Sequence, residues 1–185
     1  MQTKNNSSEE KSYKEYLKHI STFIFDVDGV LTDGNIQVNT NGEMFRTMNV
    51  KDGYGLKTAI DQGFNICIIS GGSNNGVRLR LQNLGIKDVF LGADNKTKIL
   101  EDYLSKNNIK PENTLYMGDD LPDYKIMQEV GLPTCPQDAV PEIKAISKYV
   151  SHKKGGKGCV REVIEQVLKV QEKWMTTEKV SAKYD

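Results

Sequence analysis

The 185-residue chain has three cysteines, two histidines, one tryptophan, no excess of either charge and no long apolar run. Each shortage excludes something. The 25 Lys and Arg balance the 25 Asp and Glu to a formal net charge of zero, so the chain lacks the cationic footprint of a non-specific nucleic-acid binder or of a protein drawn to an anionic membrane. No stretch approaches the ~18 apolar residues of a spanning helix. The opening MQTKNNSSEEKSYKEYLKH is polar rather than signal-like, and a cytoplasmic location is the expectation. Cys67, Cys135 and Cys159 are odd in number and irregular in spacing, which fits neither a disulfide framework nor a zinc site and implies buried thiols in a reducing compartment. What remains is an ordinary globular composition, 37% hydrophobic and 27% charged, with small molecules or other proteins as the expected partners. One domain over 21–174 is expected, preceded by a polar extension and short helix within 1–20 and followed by a polar tail over 175–185.

Inside that domain short β-rich runs alternate with helical patterns. TFIFDV at 22–27, NICIIS at 65–70 and TLYM at 114–117 are nearly all apolar and stop at polar residues, as do shorter runs at 88–91, 132–135 and 149–151. Helical spacing occupies 54–62, 76–84, 98–107 and 124–130, and Val160, Val163, Ile164, Val167, Leu168 and Val170 mark the apolar face of a last helix. The pattern predicts an α/β fold: an open, mostly parallel sheet with helices on both faces. One segment breaks the alternation. Asn35–Val38 and Glu43–Met48 flank an Asn-Gly turn and predict a projecting β-hairpin.

Chemistry-bearing residues sit where the strands end: Asp26 and Asp28 after the first, Ser70 at the end of the second, Lys96 opening a helix, and Asp119 and Asp123 after the strand at 114–117. In a parallel sheet these share one edge. Two carboxylates 4 Å apart repel by roughly 4 kcal/mol at an effective dielectric of about 20, so gathering Asp26, Asp28, Asp119 and Asp123 calls for a cation. Oxygen ligands favour a hard ion, Mg²⁺ where a phosphate shares its shell. With Mg²⁺ and Lys96 to neutralise a phosphate and Ser70 to hydrogen-bond it, Asp26 can attack phosphorus and Asp28 can carry the proton.

The motifs FDVDGVLTDG (25–34), Ser70, Lys96 and GDDLPD (118–123), in that order, resemble those of the haloacid dehalogenase superfamily, and the acid at Asp28 resembles its phosphatase branch. The resemblance implies Asp26 as nucleophile, Asp28 as acid/base, Asp26, the Asp28 carbonyl and Asp119 as metal ligands, and Asp123 as a supporting carboxylate of the metal site. MNVKDGYGLK (48–57), LGIKDVFLG (84–92) and GGKGCVREV (155–163) are similar to one member family, the 3-deoxy-D-manno-octulosonate 8-phosphate phosphatases of lipopolysaccharide-sugar synthesis. That likeness implies substrate contacts at Asn49, Val50, Lys51, Asp52, Gly53, Lys57, Gly72 and Arg80, besides Asp28 and Lys96. It also implies a homotetramer assembled through the hairpin at 35–48 and the C-terminal segment. The chain departs from many relatives in carrying glycine at Gly72 where they have arginine, and from some in carrying Lys57. Two other readings stand beside this one: a phosphatase for a nine-carbon ulosonic or sialic-acid-type 9-phosphate, and a phospho-accepting receiver-like switch. The intervals 28–70 and 70–96 have no room for a cap domain, so another covering is expected over the site.

Overall fold

The computed structural model describes residues 12–175. Strands β1 (Thr22–Phe25), β4 (Asn65–Ser70), β5 (Asp88–Leu91), β6 (Thr114–Met117), β7 (Leu132–Cys135) and β8 (Tyr149–Val150) form one sheet in the order β5-β4-β1-β6-β7-β8. Every neighbouring pair in it is parallel. β2 (Gln37–Val38) and β3 (Met44–Phe45) pair antiparallel as a separate ribbon. The helices are α1 (Tyr13–Leu17), α2 (Val50–Asp61), α3 (Asn75–Asn83), α4 (Lys96–Lys106), α5 (Tyr124–Gln128), α6 (Pro141–Ile146) and α7 (Cys159–Val170).

Side-chain alternation along the central strands divides the core in two. Phe23, Phe25, Ile66, Ile68, Leu115 and Met117 point to one face, where α2, α3 and α7 cover them. Ile24, Cys67, Ile69 and Tyr116 point to the other, under α4, α5 and α6. Both faces are buried, which is why the strands read as continuous apolar runs. All three cysteines are buried and free, and burial raises the pKa of each thiol. Among the described residues no helix is long and apolar enough to cross a membrane.

Helices α2 and α4 start earlier than the apolar periodicity predicts. The reason is capping: Asn49 and Asn95 each accept a hydrogen bond from a backbone N–H of the first turn they precede, as Asn74 does at the start of α3. α6 was not legible as a helix because Ile143 is its one buried residue. In α7, Val160, Val163, Ile164, Val167 and Leu168 are buried as expected, whereas Val170, counted with that face, is 37% exposed at the last position of the helix. The hairpin is present but shorter than 35–38 and 43–48. Its tip is held by Asn39, whose side-chain oxygen accepts from the N–H groups of Asn41 and Glu43. The intervals that could have carried a cap hold only the hairpin with α2, and α3 with β5. The lead at 1–11 and the tail beyond 175 lie outside the described residues.

Candidate active site

β1 lies at the centre of the sheet, and the chain leaves its carboxyl end at Asp26. The Asp26 N–H donates to the Met117 carbonyl (3.1 Å) at the end of β6, and its Oδ1 accepts from the N–H of Val27 (2.6 Å). The backbone then coils through Val27–Leu31 with Gly29 at φ +87°. Two constraints meet at Gly29, because a Cβ there would also fall 2.0 Å from Oδ2 of Asp119. The loop after β1 and the loop after β6 can therefore close on each other only over a residue without a side chain.

That closure builds a cleft of about 310 Å³ which brings together Asp26, Asp28, Ser70, Gly72, Lys96, Asp119 and Asp123. Its floor is a buried charge network. Lys96, 8% exposed, places Nζ 2.9 Å from Oδ2 of Asp26 and 2.7 Å from Oδ1 of Asp123. The same Asp123 oxygen accepts from the Tyr116 hydroxyl (2.7 Å), and Oδ2 accepts from the Asp119 N–H (3.1 Å). Burial disfavours the charged form of Lys96, but Asp26 and Asp123 outweigh it and its pKa is raised. Between Lys96 and Lys98, it is Lys96 that enters the cleft; Lys98 pairs with Asp102 on the exposed face of α4.

One charge does not balance three. Asp26, Asp119 and Asp123 each offer a carboxylate oxygen within 4.8 Å of the others. The pKa of Asp119 is pushed up to about 8, first by burial and then by Asp123 and Asp26. That of Asp26 rises to about 6 by burial and Asp123, against the pull of Lys96. Oδ1 of Asp119 is buried with no hydrogen-bond partner. An orphaned carboxylate oxygen beside a second carboxylate is a place for a hard cation, and these residues fit one. Asp123 is the most heavily committed of the three, its oxygens accepting from Lys96, Tyr116 and the Asp119 N–H against two donors, the Val27 N–H and Lys96, on Asp26; its geometry suits holding Lys96 and the Asp119 loop in place.

The remaining expected contacts lie elsewhere. Val50, Lys51, Gly53, Lys57 and Arg80 line a second cavity of about 540 Å³, together with Arg161 and Trp174. Arg161 stacks on the Tyr54 and Trp174 rings there. Arg80 faces this cavity, whereas Arg78 donates to the Val89 carbonyl (2.9 Å). Asn49 caps α2 and donates to the Gly156 carbonyl (3.2 Å). Asp52 is 1% exposed, its Oδ1 accepting from the Arg161 N–H (2.7 Å) in the first turn of α7. Asn49 and Asp52 thus fasten elements together in this chain and do not reach the cleft. The run at 155–158 is neither a loose turn nor part of the cleft lining. It backs the loop after β1: the Gly156 N–H donates to the Val30 carbonyl (2.9 Å), and a Cβ on Gly155 would lie 1.9 Å from the Gly29 carbonyl oxygen.

Two residues at the site were not anticipated. Tyr116 reads in sequence as one apolar position of a strand, yet its hydroxyl is the buried partner of Asp123. Arg46 reads as a hairpin residue, yet it grips Asp28 with two nitrogens, Nε to Oδ1 at 2.6 Å and Nη2 to Oδ2 at 3.0 Å. Opposite charges 18 positions apart give no local signal of such a pair.

Comparison with known proteins gives consistent relatives. A family model described as haloacid dehalogenase-like hydrolase matches residues 88–164. The 3-deoxy-D-manno-octulosonate 8-phosphate phosphatase KdsC of Salmonella typhi is 42% identical over 156 residues, covering 84% of this chain and 83% of that protein. The crystal structure of the Moraxella catarrhalis 3-deoxy-D-manno-octulosonate 8-phosphate phosphatase, in complex with magnesium, phosphate and KDO, superposes with a TM-score of 0.84 at 38% identity, over 86% of this chain and 92% of that one. The cobalt-bound form of the Haemophilus influenzae phosphatase gives 0.82 at 34% identity, over 85% and 92%.

Proposed function

The chain belongs to the 3-deoxy-D-manno-octulosonate 8-phosphate phosphatase family of haloacid dehalogenase-like hydrolases, and from that premise we propose that it hydrolyses 3-deoxy-D-manno-octulosonate 8-phosphate to the free sugar acid and phosphate. The observation that carries the reaction is the convergence of Asp26, Asp28, Ser70 and Lys96 on one cleft beside the orphaned oxygen of Asp119. An Asp26 oxygen forms a bond to phosphorus as the bond from phosphorus to the sugar oxygen breaks, and Asp28 delivers a proton to that leaving oxygen. Asp28 then takes a proton from the water that attacks the phosphoryl-aspartate, which releases phosphate and restores the Asp26 carboxylate. Lys96 and Ser70 hold the phosphoryl oxygens throughout. Asp26 and Asp119, with the Asp28 carbonyl, would hold Mg²⁺, which supplies charge neutralisation for the phosphoryl oxygens; Asp123 supports them.

Those roles have a stability signature. Asp26 and Asp119 have folded-state pKa values raised to about 6 and about 8, so without metal the folded chain keeps protons that the unfolded chain has lost above its ordinary carboxylate pKa of 3.8. Stability in EDTA is therefore expected to fall as pH rises from about 4 to about 8. Added Mg²⁺, which competes with those protons, should raise Tm more at pH 8 than at pH 5. A differential scanning fluorimetry grid of pH against Mg²⁺ checks this. An equal Mg²⁺ shift at both pH values would remove Asp26 and Asp119 as ligands.

The substrate contacts expected at Asn49–Gly53, Lys57 and Arg80 belong, in this reading, to a homotetramer. Within one chain the cavity lined by Val50, Lys51, Gly53, Lys57 and Arg80 is separate from the cleft, and the hairpin exposes Ile36, Val38, Met44 and Phe45, each 44–63% accessible, as an apolar surface for a second copy. The same reading treats 21–174 as one phosphatase domain and places it in the cytoplasm. Phosphate release from a panel of sugar-acid phosphates tests the substrate. The eight-carbon 8-phosphate is expected to give the highest kcat/KM; equal or better turnover of a nine-carbon 9-phosphate would reassign it. A stoichiometric, long-lived phosphoprotein would favour the receiver-like switch instead.

A further inference from the structure

We infer that Arg46, reaching in from the hairpin, is the positioning residue that aims the Asp28 carboxyl at the leaving oxygen. The inference rests on Asp28 being the acid/base of the proposed reaction. Three observations carry it. The guanidinium meets both Asp28 oxygens as a fork, at 2.6 and 3.0 Å, which fixes the plane of the carboxyl as a single-point contact would not. The Arg46 side chain is 6% exposed while that of Asp28 is 31% exposed, so the arginine stands behind and the carboxyl faces the cleft. Each carboxylate oxygen has two lone pairs, and the fork takes one on each, leaving the other for proton exchange with substrate and water.

The surroundings are built around this pair. Gly72 leaves it room: a Cβ there would lie 2.9 Å from Oδ2 of Asp28 and 3.3 Å from Nη2 of Arg46. Asn74, the cap of α3, donates to the Met44 carbonyl (2.9 Å) and so pins β3 two residues from Arg46. Nη1 of Arg46 is buried without a partner. A pair that served only to fasten the hairpin could have left this nitrogen in water, as the Lys57–Asp61 and Lys98–Asp102 pairs leave theirs.

Positioning and fastening predict different kinetics. A sugar alkoxide needs a proton to leave, whereas 4-nitrophenolate does not, and kcat/KM reports the steps through transfer to Asp26 and loss of the alcohol. Arg46→Met is expected to lower kcat/KM by about 10²-fold on the sugar phosphate and by less than about 5-fold on 4-nitrophenyl phosphate. Arg46→Lys, which keeps the charge and loses the fork, should show the same selectivity at smaller size, and serves if the Met variant proves unstable. In an Asp28→Asn background the Arg46 substitutions should have no further effect on the sugar phosphate. Equal losses on both substrates, or none, would overturn the inference, as would full additivity with Asp28→Asn. Asp28→Asn alone separates the two levels: if it shows no substrate selectivity the acid/base reading fails, and if it does while Arg46→Met does not, only the role of Arg46 fails.

Discussion

Asp26→Asn is expected to lower kcat by at least about 10⁴-fold while the protein stays folded. Both halves of that result follow from the surroundings of the side chain. Asp26 is 7% exposed, and burial together with Asp123 resists its charge, so a neutral isostere removes an electrostatic burden. With Lys96 still paired to Asp123, the amide can keep one of the two contacts through its oxygen, the Val27 N–H that Oδ1 accepts or the Lys96 ammonium beside Oδ2. What it cannot do is attack phosphorus, because its nitrogen lone pair is delocalised into the carbonyl. Circular dichroism and Tm compared with wild type, beside steady-state phosphate release, check the two halves separately. Residual activity above about one-hundredth of wild type would mean that another group is the nucleophile.

Lys96→Met should be the most damaging substitution for stability within the cleft. Lys96 is the cation shared by Asp26 and Asp123, and removing one partner from a buried network costs about 3–5 kcal/mol when the charges left behind stay ionised. Asp26 need not stay ionised at every pH. Asp26 already has its pKa near about 6 with Lys96 present, and loss of the ammonium moves it higher, so below that pH it takes up a proton and escapes the penalty. Urea unfolding in EDTA should therefore show a destabilisation that is small at pH 5 and grows toward pH 8. Loss of phosphoryl-oxygen stabilisation should also reduce kcat by about 10²-fold or more. A pH-independent stability loss would show that Lys96 supports the fold by packing and not by its charge.

The parts of this site that could be read in the sequence are those fixed by strand ends. A run such as TFIFDVDG identifies a buried strand and the acid that follows it, and parallel order then puts Asp26, Ser70 and Asp119 on one edge without coordinates. Lys96 was legible from its place in the order of the haloacid dehalogenase-like motifs, since Lys98 two residues on offers the same charge. Arg46 and Tyr116 were not, since each depends on a side-chain direction that no local pattern encodes. The hairpin's register had to be known before Arg46 could be turned toward Asp28. Asp52 shows the converse: in the sequence it is one member of the NVKDG segment, and only the packing of α2 on α7 reveals that its carboxyl caps a helix. Helix starts were misplaced for a related reason, because Asn49 and Asn95 begin their helices by hydrogen bonding where apolar periodicity has not yet begun.

Covalent capture of the phosphorylated side chain bears most directly on the mechanism. Enzyme quenched during turnover of the sugar-acid phosphate, then treated with borohydride to reduce any acyl phosphate to the alcohol, should yield homoserine at position 26 and nowhere else by peptide mass mapping. Turnover that continues with position 26 recovered only as unmodified aspartate, or homoserine found at position 28 or 119, would contradict it.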